Sequence, residues 1–241
     1  MRFQDKVVFI TGGTKGLGKA MAQAFLAEGA SVGVNSRNKE AVDKFTEEFK
    51  GQQILAVQAD VGDFAAMDAL ASKVYETFGK IDILINNAGI VNPLVPSEKI
   101  KKDDFDKVID INLKGTFYAT QSFGKRMLQQ GSGRIVSIAS QVALFGEKGF
   151  LPYAISKSGL MIMTRQLAYE WSASGVTLVA LAPGFIKGGM NEGLIRKEIF
   201  VNYLSGRTPA NRMGTVDELV ATVLFLASGD AAYINGETIV M

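Results

Sequence analysis

Short apolar runs alternate along the chain with longer stretches in which apolar residues recur every three or four positions. The runs at 6–10, 31–35, 53–59, 81–85, 134–139 and 176–181 predict buried strands, with a last short one at 237–241. Between them, 3.6-residue spacing predicts helices over 19–28, 39–50, 63–78, 103–130 and about 152–174. The last helix opens on the capping box Thr215-Val216-Asp217-Glu218 and runs to about residue 228. Gly29, Gly51, Gly79 and Gly175 stand where these helices must stop. Strands alternating with helices predict a single α/β domain over 1–241, a doubly wound parallel sheet of about seven strands with helices on both faces.

Such a sheet collects its ligands at the carboxyl ends of its strands, and right-handed crossovers bring those ends to one edge. After the first strand comes Thr11-Gly12-Gly13-Thr14-Lys15-Gly16-Leu17-Gly18, a glycine loop between strand and helix that suits a dinucleotide pyrophosphate. In that reading Gly12 permits the sharp exit, Gly16 the close approach of backbone to phosphate, and Gly18 tight helix packing. The second strand ends in Ser36-Arg37-Asn38, with no acid where a ribose 2′-hydroxyl is usually held. Arg37 and Lys15 supply two cations instead, which favours a 2′-phosphate: NADP(H) is the preferred cofactor, with NAD(H) possible.

Asp60 and Val61 follow the third strand, where Asp60 can meet a base amino group or serve as a local turn or cap residue. Asn86-Asn87-Ala88-Gly89 follows the fourth and suits a tight turn. Asn112, a poor helix former within the 103–130 pattern, either bends that helix or turns its amide inward to the site. After the sixth strand, Ala182-Pro183-Gly184-Phe185-Ile186 leads into an irregular segment, 187–214, that reads as a substrate-covering lid. That lid mixes Met190, Leu194, Ile195 and Phe200 with Arg196 and Lys197. Phe145, Phe150 and Phe185 are either pocket walls or plain core.

The chemistry concentrates between Ser140, at the end of the fifth strand, and Lys157. Tyr153 and Lys157 stand four apart after Pro152, so a phenol and an ammonium share one helical face. A nearby ammonium is expected to lower the phenol's pKa and allow it to exchange a proton with a substrate oxygen that Ser140 holds. The chain contains no cysteine and no histidine. Disulfides, thiol nucleophiles, Ser-His-Asp triads and the usual zinc sites are thereby excluded, and no metal site is expected. A net charge of +2 without a basic, aromatic-rich patch argues against nucleic acid as a partner. The absence of a long apolar run or leader pattern predicts a cytoplasmic protein without membrane contact.

With these residues in place, the chain resembles the short-chain dehydrogenase/reductase family over essentially its whole length. The resemblance is carried by Thr11-Gly12-x-x-x-Gly16-x-Gly18, by Asn86-Asn87-Ala88-Gly89, by Pro183-Gly184, and by Asn112, Ser140, Tyr153 and Lys157 on the positions of the family's catalytic tetrad. It implies a Rossmann fold and hydride transfer between a nicotinamide and a ketone or secondary alcohol. It also implies that Tyr153 is the general acid/base, that Ser140 polarises the substrate oxygen, and that Lys157 binds the nicotinamide ribose. By the same resemblance Asn112 holds a water in a proton relay, and Ile186 contacts the nicotinamide carboxamide. Within the family the chain is most similar to 3-oxoacyl-thioester reductases. A sugar-acid or polyol dehydrogenase, to which the pair Glu170-Trp171 gives a faint likeness, stays open as an alternative. A non-catalytic dinucleotide-binding protein is the more remote one. The resemblance further implies a homotetramer, less often a dimer. Two positions depart from the pattern: Gly188 replaces a common threonine, and Met241 falls within the last strand.

Overall fold

The computed structural model describes residues 1–188, 206 and 208–241. Its frame is a seven-stranded, wholly parallel sheet in the order β3-β2-β1-β4-β5-β6-β7. The strands are β1 Val7–Ile10, β2 Ser31–Ser36, β3 Ile54–Gln58, β4 Ile83–Asn86, β5 Gly133–Ile138, β6 Val176–Ala182 and β7 Thr238–Val240. Among the described residues the α-helices are α1 Gly16–Ala27, α2 Lys39–Glu48, α3 Phe64–Phe78, α4 Lys102–Val108, α5 Gly115–Gln130, α6 Val142–Phe145, α7 Leu151–Trp171 and α8 Val216–Ala227.

A sheet covered on both faces needs apolar residues at every strand position. β1 shows the division. Val8 and Ile10 join one core with Met21 and Phe25 of α1 and Leu219, Val223 and Leu226 of α8. Val7 and Phe9 join the other, with Met67 and Leu70 of α3 and Phe123 and Met127 of α5. Phe9 stacks on Phe123 at a centroid separation of 4.6 Å. The helix ends follow local chemistry. Asn38 caps α2 through Ala41 N at 2.9 Å, and Asp63 caps α3 through Ala66 N at 3.0 Å. Thr215 and Glu218 close the expected capping box on α8.

Two helices differ from the pattern read in the sequence. α1 begins at Gly16, inside the glycine motif, so the motif itself forms the first turn. The predicted 103–130 helix is divided by a π-helical turn, Ile109–Lys114, between α4 and α5. Asn112 lies in that turn, fully buried, and the wider turn lets its side chain leave the helical ladder for a strand-end loop. Most of the expected lid, with Met190, Leu194, Ile195, Arg196, Lys197 and Phe200, lies outside the described residues. Its base is pinned by a parallel bridge between Ile186 and Gly214.

Arg134 fastens the opposite edge of the sheet. Only 7% exposed, its guanidinium donates to the carbonyls of Leu226 at 2.8 Å, Ile234 at 2.9 Å and Ala231 at 3.3 Å. These close the end of α8, and burial of the cation lowers its pKa to about 10. Replacing Arg134 by methionine strands three buried carbonyls. In urea unfolding, Arg134→Met is expected to lose about 3 kcal/mol, and Arg134→Lys to lose less.

Candidate active site

β1 and β4 are neighbours at the point where strand order reverses, so the glycine loop and the 86–89 turn meet there. They are locked together. The Thr11 hydroxyl accepts from Asn87 N at 2.9 Å and Ala88 N at 3.0 Å, and Asn87 Nδ2 donates to Thr11 O at 2.9 Å. Gly12 turns the chain with φ +65°. Gly18 admits no side chain, because a Cβ there would stand 2.4 Å from Gly12 O and 2.7 Å from Asn87 Nδ2. Gly18 therefore packs on the loop and the neighbouring turn. Lys15 precedes α1 without a side-chain cap, so the first-turn N–H groups around Gly16, Leu17 and Gly18 lack a capping acceptor. An uncapped helix start behind a glycine cradle fits a pyrophosphate.

The rim follows. Thr14 is buried, Ser36 half-buried, and Lys15 and Arg37 are exposed. Asp60 is exposed, and its Oδ1 accepts from Gly62 N at 2.9 Å, the local-turn role rather than a free carboxylate. Val61 is buried against Gly115. Pro183 O accepts from Gln141 N at 3.0 Å, and Gly184 N donates to Met241 O at 2.8 Å. Ile186 is buried at the cavity wall. Gly188 has φ +103°, a backbone that a threonine would adopt only under strain.

The four residues expected to carry the chemistry converge at the ends of β4 and β5. Asn112 Oδ1 accepts from Ile90 N at 2.8 Å, while its Nδ2 donates to Ile90 O at 2.8 Å and Ser156 Oγ at 3.1 Å. Of the two readings left open for Asn112, the side chain takes the inward one. Gly89 brings this group beside Lys157: a Cβ on Gly89 would lie 3.3 Å from Asn112 Oδ1 and 3.6 Å from Lys157 Nζ. Lys157 is 2% exposed and donates to Ile138 O at 2.6 Å. Its Nζ lies 5.6 Å from the Tyr153 ring centroid. Ser140 is buried, accepts from Val142 N at 3.3 Å, and shares a hydrogen bond with the Tyr153 side chain.

The electrostatics differ from the sequence expectation. Burial pushes the Tyr153 phenol above its ordinary pKa, opposed only by the Ser140 hydrogen bond. Lys157 does not lower it here, because the ammonium is turned to a backbone carbonyl and is itself depressed to about 8 by burial. Burial thus keeps Tyr153 a neutral phenol.

Ser140 and Tyr153 line a cavity of about 320 Å³. Phe150 and Phe185 form part of its wall, whereas Phe145 is 54% exposed and outside it. Three residues that the sequence did not single out also matter. Asn35, 1% exposed, accepts from Gly12 N at 3.2 Å and donates to Ala59 O at 2.9 Å, tying three strand ends together. Asn92 and Gln141 are polar groups in the cavity wall. An asparagine within an apolar strand was the one available signal, for Asn35.

The short chain dehydrogenase model matches residues 6–199. The chain belongs to the short-chain dehydrogenase family. It is 38% identical to the (2S)-((R)-hydroxy(phenyl)methyl)succinyl-CoA dehydrogenase subunit BbsD of Thauera aromatica, over 99% of this chain and 96% of that one. It is 36% identical to the 3-oxoacyl-(acyl-carrier-protein) reductase FabG of Thermotoga maritima, over 99% and 97% of the two chains. A gluconate 5-dehydrogenase from Burkholderia cenocepacia, solved in complex with NADP and tartrate, superposes with a TM-score of 0.92 at 31% identity, covering 100% of this chain and 95% of that one. This short-chain dehydrogenase is therefore an NAD(P)-dependent oxidoreductase acting on alcohols and ketones. No helix among the described residues is long and apolar enough to cross a membrane.

The buried ammonium has a measurable consequence. With its folded pKa near 8 and its ordinary value at 10.5, Lys157 binds fewer protons folded than unfolded between these limits. Its contribution to stability is complete above 10.5 and lost as the pH falls through about 8. Denaturant unfolding from pH 7.5 to 10.5 is expected to show wild type gaining up to about 3 kcal/mol relative to Lys157→Met.

Proposed function

We propose that this enzyme is an NADPH-dependent ketone reductase of the 3-oxoacyl-thioester type. The observation that carries the reading is geometric: Ser140 and Tyr153 line one largely apolar cavity, where both hydroxyls can meet a single substrate oxygen. A nicotinamide dinucleotide supplies the hydride. As charge develops on the substrate oxygen, Ser140 holds that oxygen and Tyr153 gives it a proton. Lys157 presents its ammonium beside Gly89 and Asn112, where it holds the nicotinamide ribose. Asn112, with its carboxamide fixed on Ile90, keeps the path for reprotonating Tyr153 in place.

The glycine loop, Asn87, Ala88 and Gly89 form the cofactor seat, and Pro183, Gly184 and Ile186 its far wall. Asp60 and Val61 flank the adenine end. Lys15, Ser36 and Arg37 face the ribose 2′-position, and two cations without a carboxylate among them favour NADP(H) over NAD(H). The chain acts as one domain, 1–241, whose segment 187–214 covers the substrate in the cytoplasm. A homotetramer is the assembly in this reading, with a dimer as the alternative. The support is an exposed apolar stripe on α7, Leu151, Ile155, Ile162 and Tyr169, whose spacing places all four on one face. Dehydrogenation of a sugar acid is the second reading, favoured by the likeness to the gluconate enzyme solved with NADP.

Tyr153→Phe is expected to lower kcat for NADPH-driven reduction of acetoacetyl thioesters at least about 100-fold. NADPH affinity, read by fluorescence titration, should hold. Unchanged turnover in that variant rules out the proposed acid. Faster turnover of gluconate with NADP than of any ketone with NADPH supports the second reading. In Arg37→Ala, KM for NADPH should rise about tenfold while KM for NADH stays put.

A further inference from the structure

The cavity wall contains two carboxamides beyond Ser140 and Tyr153, and they differ in what they have left to offer. Both amide hydrogens of Asn92 are committed, to Pro93 O at 2.8 Å and Gly149 O at 2.8 Å, so this side chain staples the two loops that frame the cavity. Gln141 is the reverse case. Its backbone N–H is fixed on Pro183 O at 3.0 Å, directly after Ser140 in the chain. Its half-buried side chain lies against Gly184, where a Cβ would stand 3.1 Å from Nε2. Among the described residues that carboxamide makes no hydrogen bond, so both its N–H donors remain available beside the reacting oxygen.

The remaining described wall is apolar, including Val91, Leu94, Val142, Phe150 and Phe185, and no charged side chain from the described residues lines it. A polar carboxamide in such a wall is poorly solvated unless a ligand meets it. We propose that Gln141 is the specificity-determining residue of this cavity, donating a hydrogen bond to an uncharged acceptor carried close to the reacting carbonyl. The substrate class is a ketone with a second carbonyl oxygen within a few bonds, as in a 3-oxo ester or 3-oxo thioester. The inference rests on the reductase reading above, and it adds which part of the substrate is recognised and by what.

The test compares ethyl 3-oxobutanoate with 2-hexanone, ketones of similar size that differ in the second carbonyl, using NADPH and the intact enzyme. Gln141→Met keeps the shape and removes the donors; Gln141→Glu also removes the donors and keeps the length. In both variants kcat/KM for the oxo ester should fall about tenfold or more relative to 2-hexanone, the loss of one buried hydrogen bond. The rate with 2-hexanone should remain near wild type, and NADPH affinity should not change. An unchanged preference between the two ketones in both variants overturns the role of Gln141 while leaving the reductase reading intact. Equal losses on both ketones overturn it as well, since a merely structural residue would act that way. No turnover of either ketone by wild type overturns the reductase reading and this inference together.

Discussion

A lysine ammonium buried on a backbone carbonyl, Lys157 on Ile138, is the constraint around which the site is built. No carboxylate neutralises it among its described hydrogen-bond and ion-pair partners. A cation in that position costs free energy that the surrounding fold must offset. It is tolerated because α7 is docked on β6 and on the π-turn, and because that turn presents an oriented Asn112 amide instead of another helical face. A charge held against its own solvation is available to whatever dipole or anion enters beside it. The neighbouring Tyr153 phenol stays neutral for the same physical reason, burial acting on the opposite kind of acid.

The fold was largely legible because a parallel sheet covered on both faces writes its strands as apolar runs and its helices as amphipathic intervals. Glycines at the strand exits added the order of the loops. The four candidate residues Asn112, Ser140, Tyr153 and Lys157 could be named because they fall on positions that resemble a known family's tetrad; spacing alone paired only Tyr153 with Lys157. What escaped was the part set by three-dimensional partners. Asn112 belongs to a periodic helical stretch, and nothing in that pattern announces a π-turn; its inward side chain depends on Ile90, far away in sequence. The sign of the Tyr153 shift escaped too. Spacing shows that Lys157 is near, but not that a carbonyl takes its hydrogen bond.

Gln141 and Asn92 show the same limit at the level of specificity. Each is an ordinary polar residue in the sequence, and composition cannot tell a carboxamide whose donors are committed from one whose donors are free; Asn92 keeps only its buried Oδ1 without a partner. Only the hydrogen-bond inventory separates them: one closes the frame, the other faces the ligand space with its donors unclaimed. Under the proposed reading, recognition and catalysis fall to adjacent residues, Ser140 and Gln141, on one strand end.

The carbonyl of Met241 accepts from Gly184, in the turn that walls the cavity, while the edge fastened by Arg134 lies at the other end of the same strands. Met241 N in turn donates to Ala182 O at 3.1 Å, so the backbone that follows β7 is tied through both sides of one residue to the end of β6 and the turn after it. Strain introduced at β7 is therefore passed to the cavity wall, although no side chain of that strand reaches the cavity.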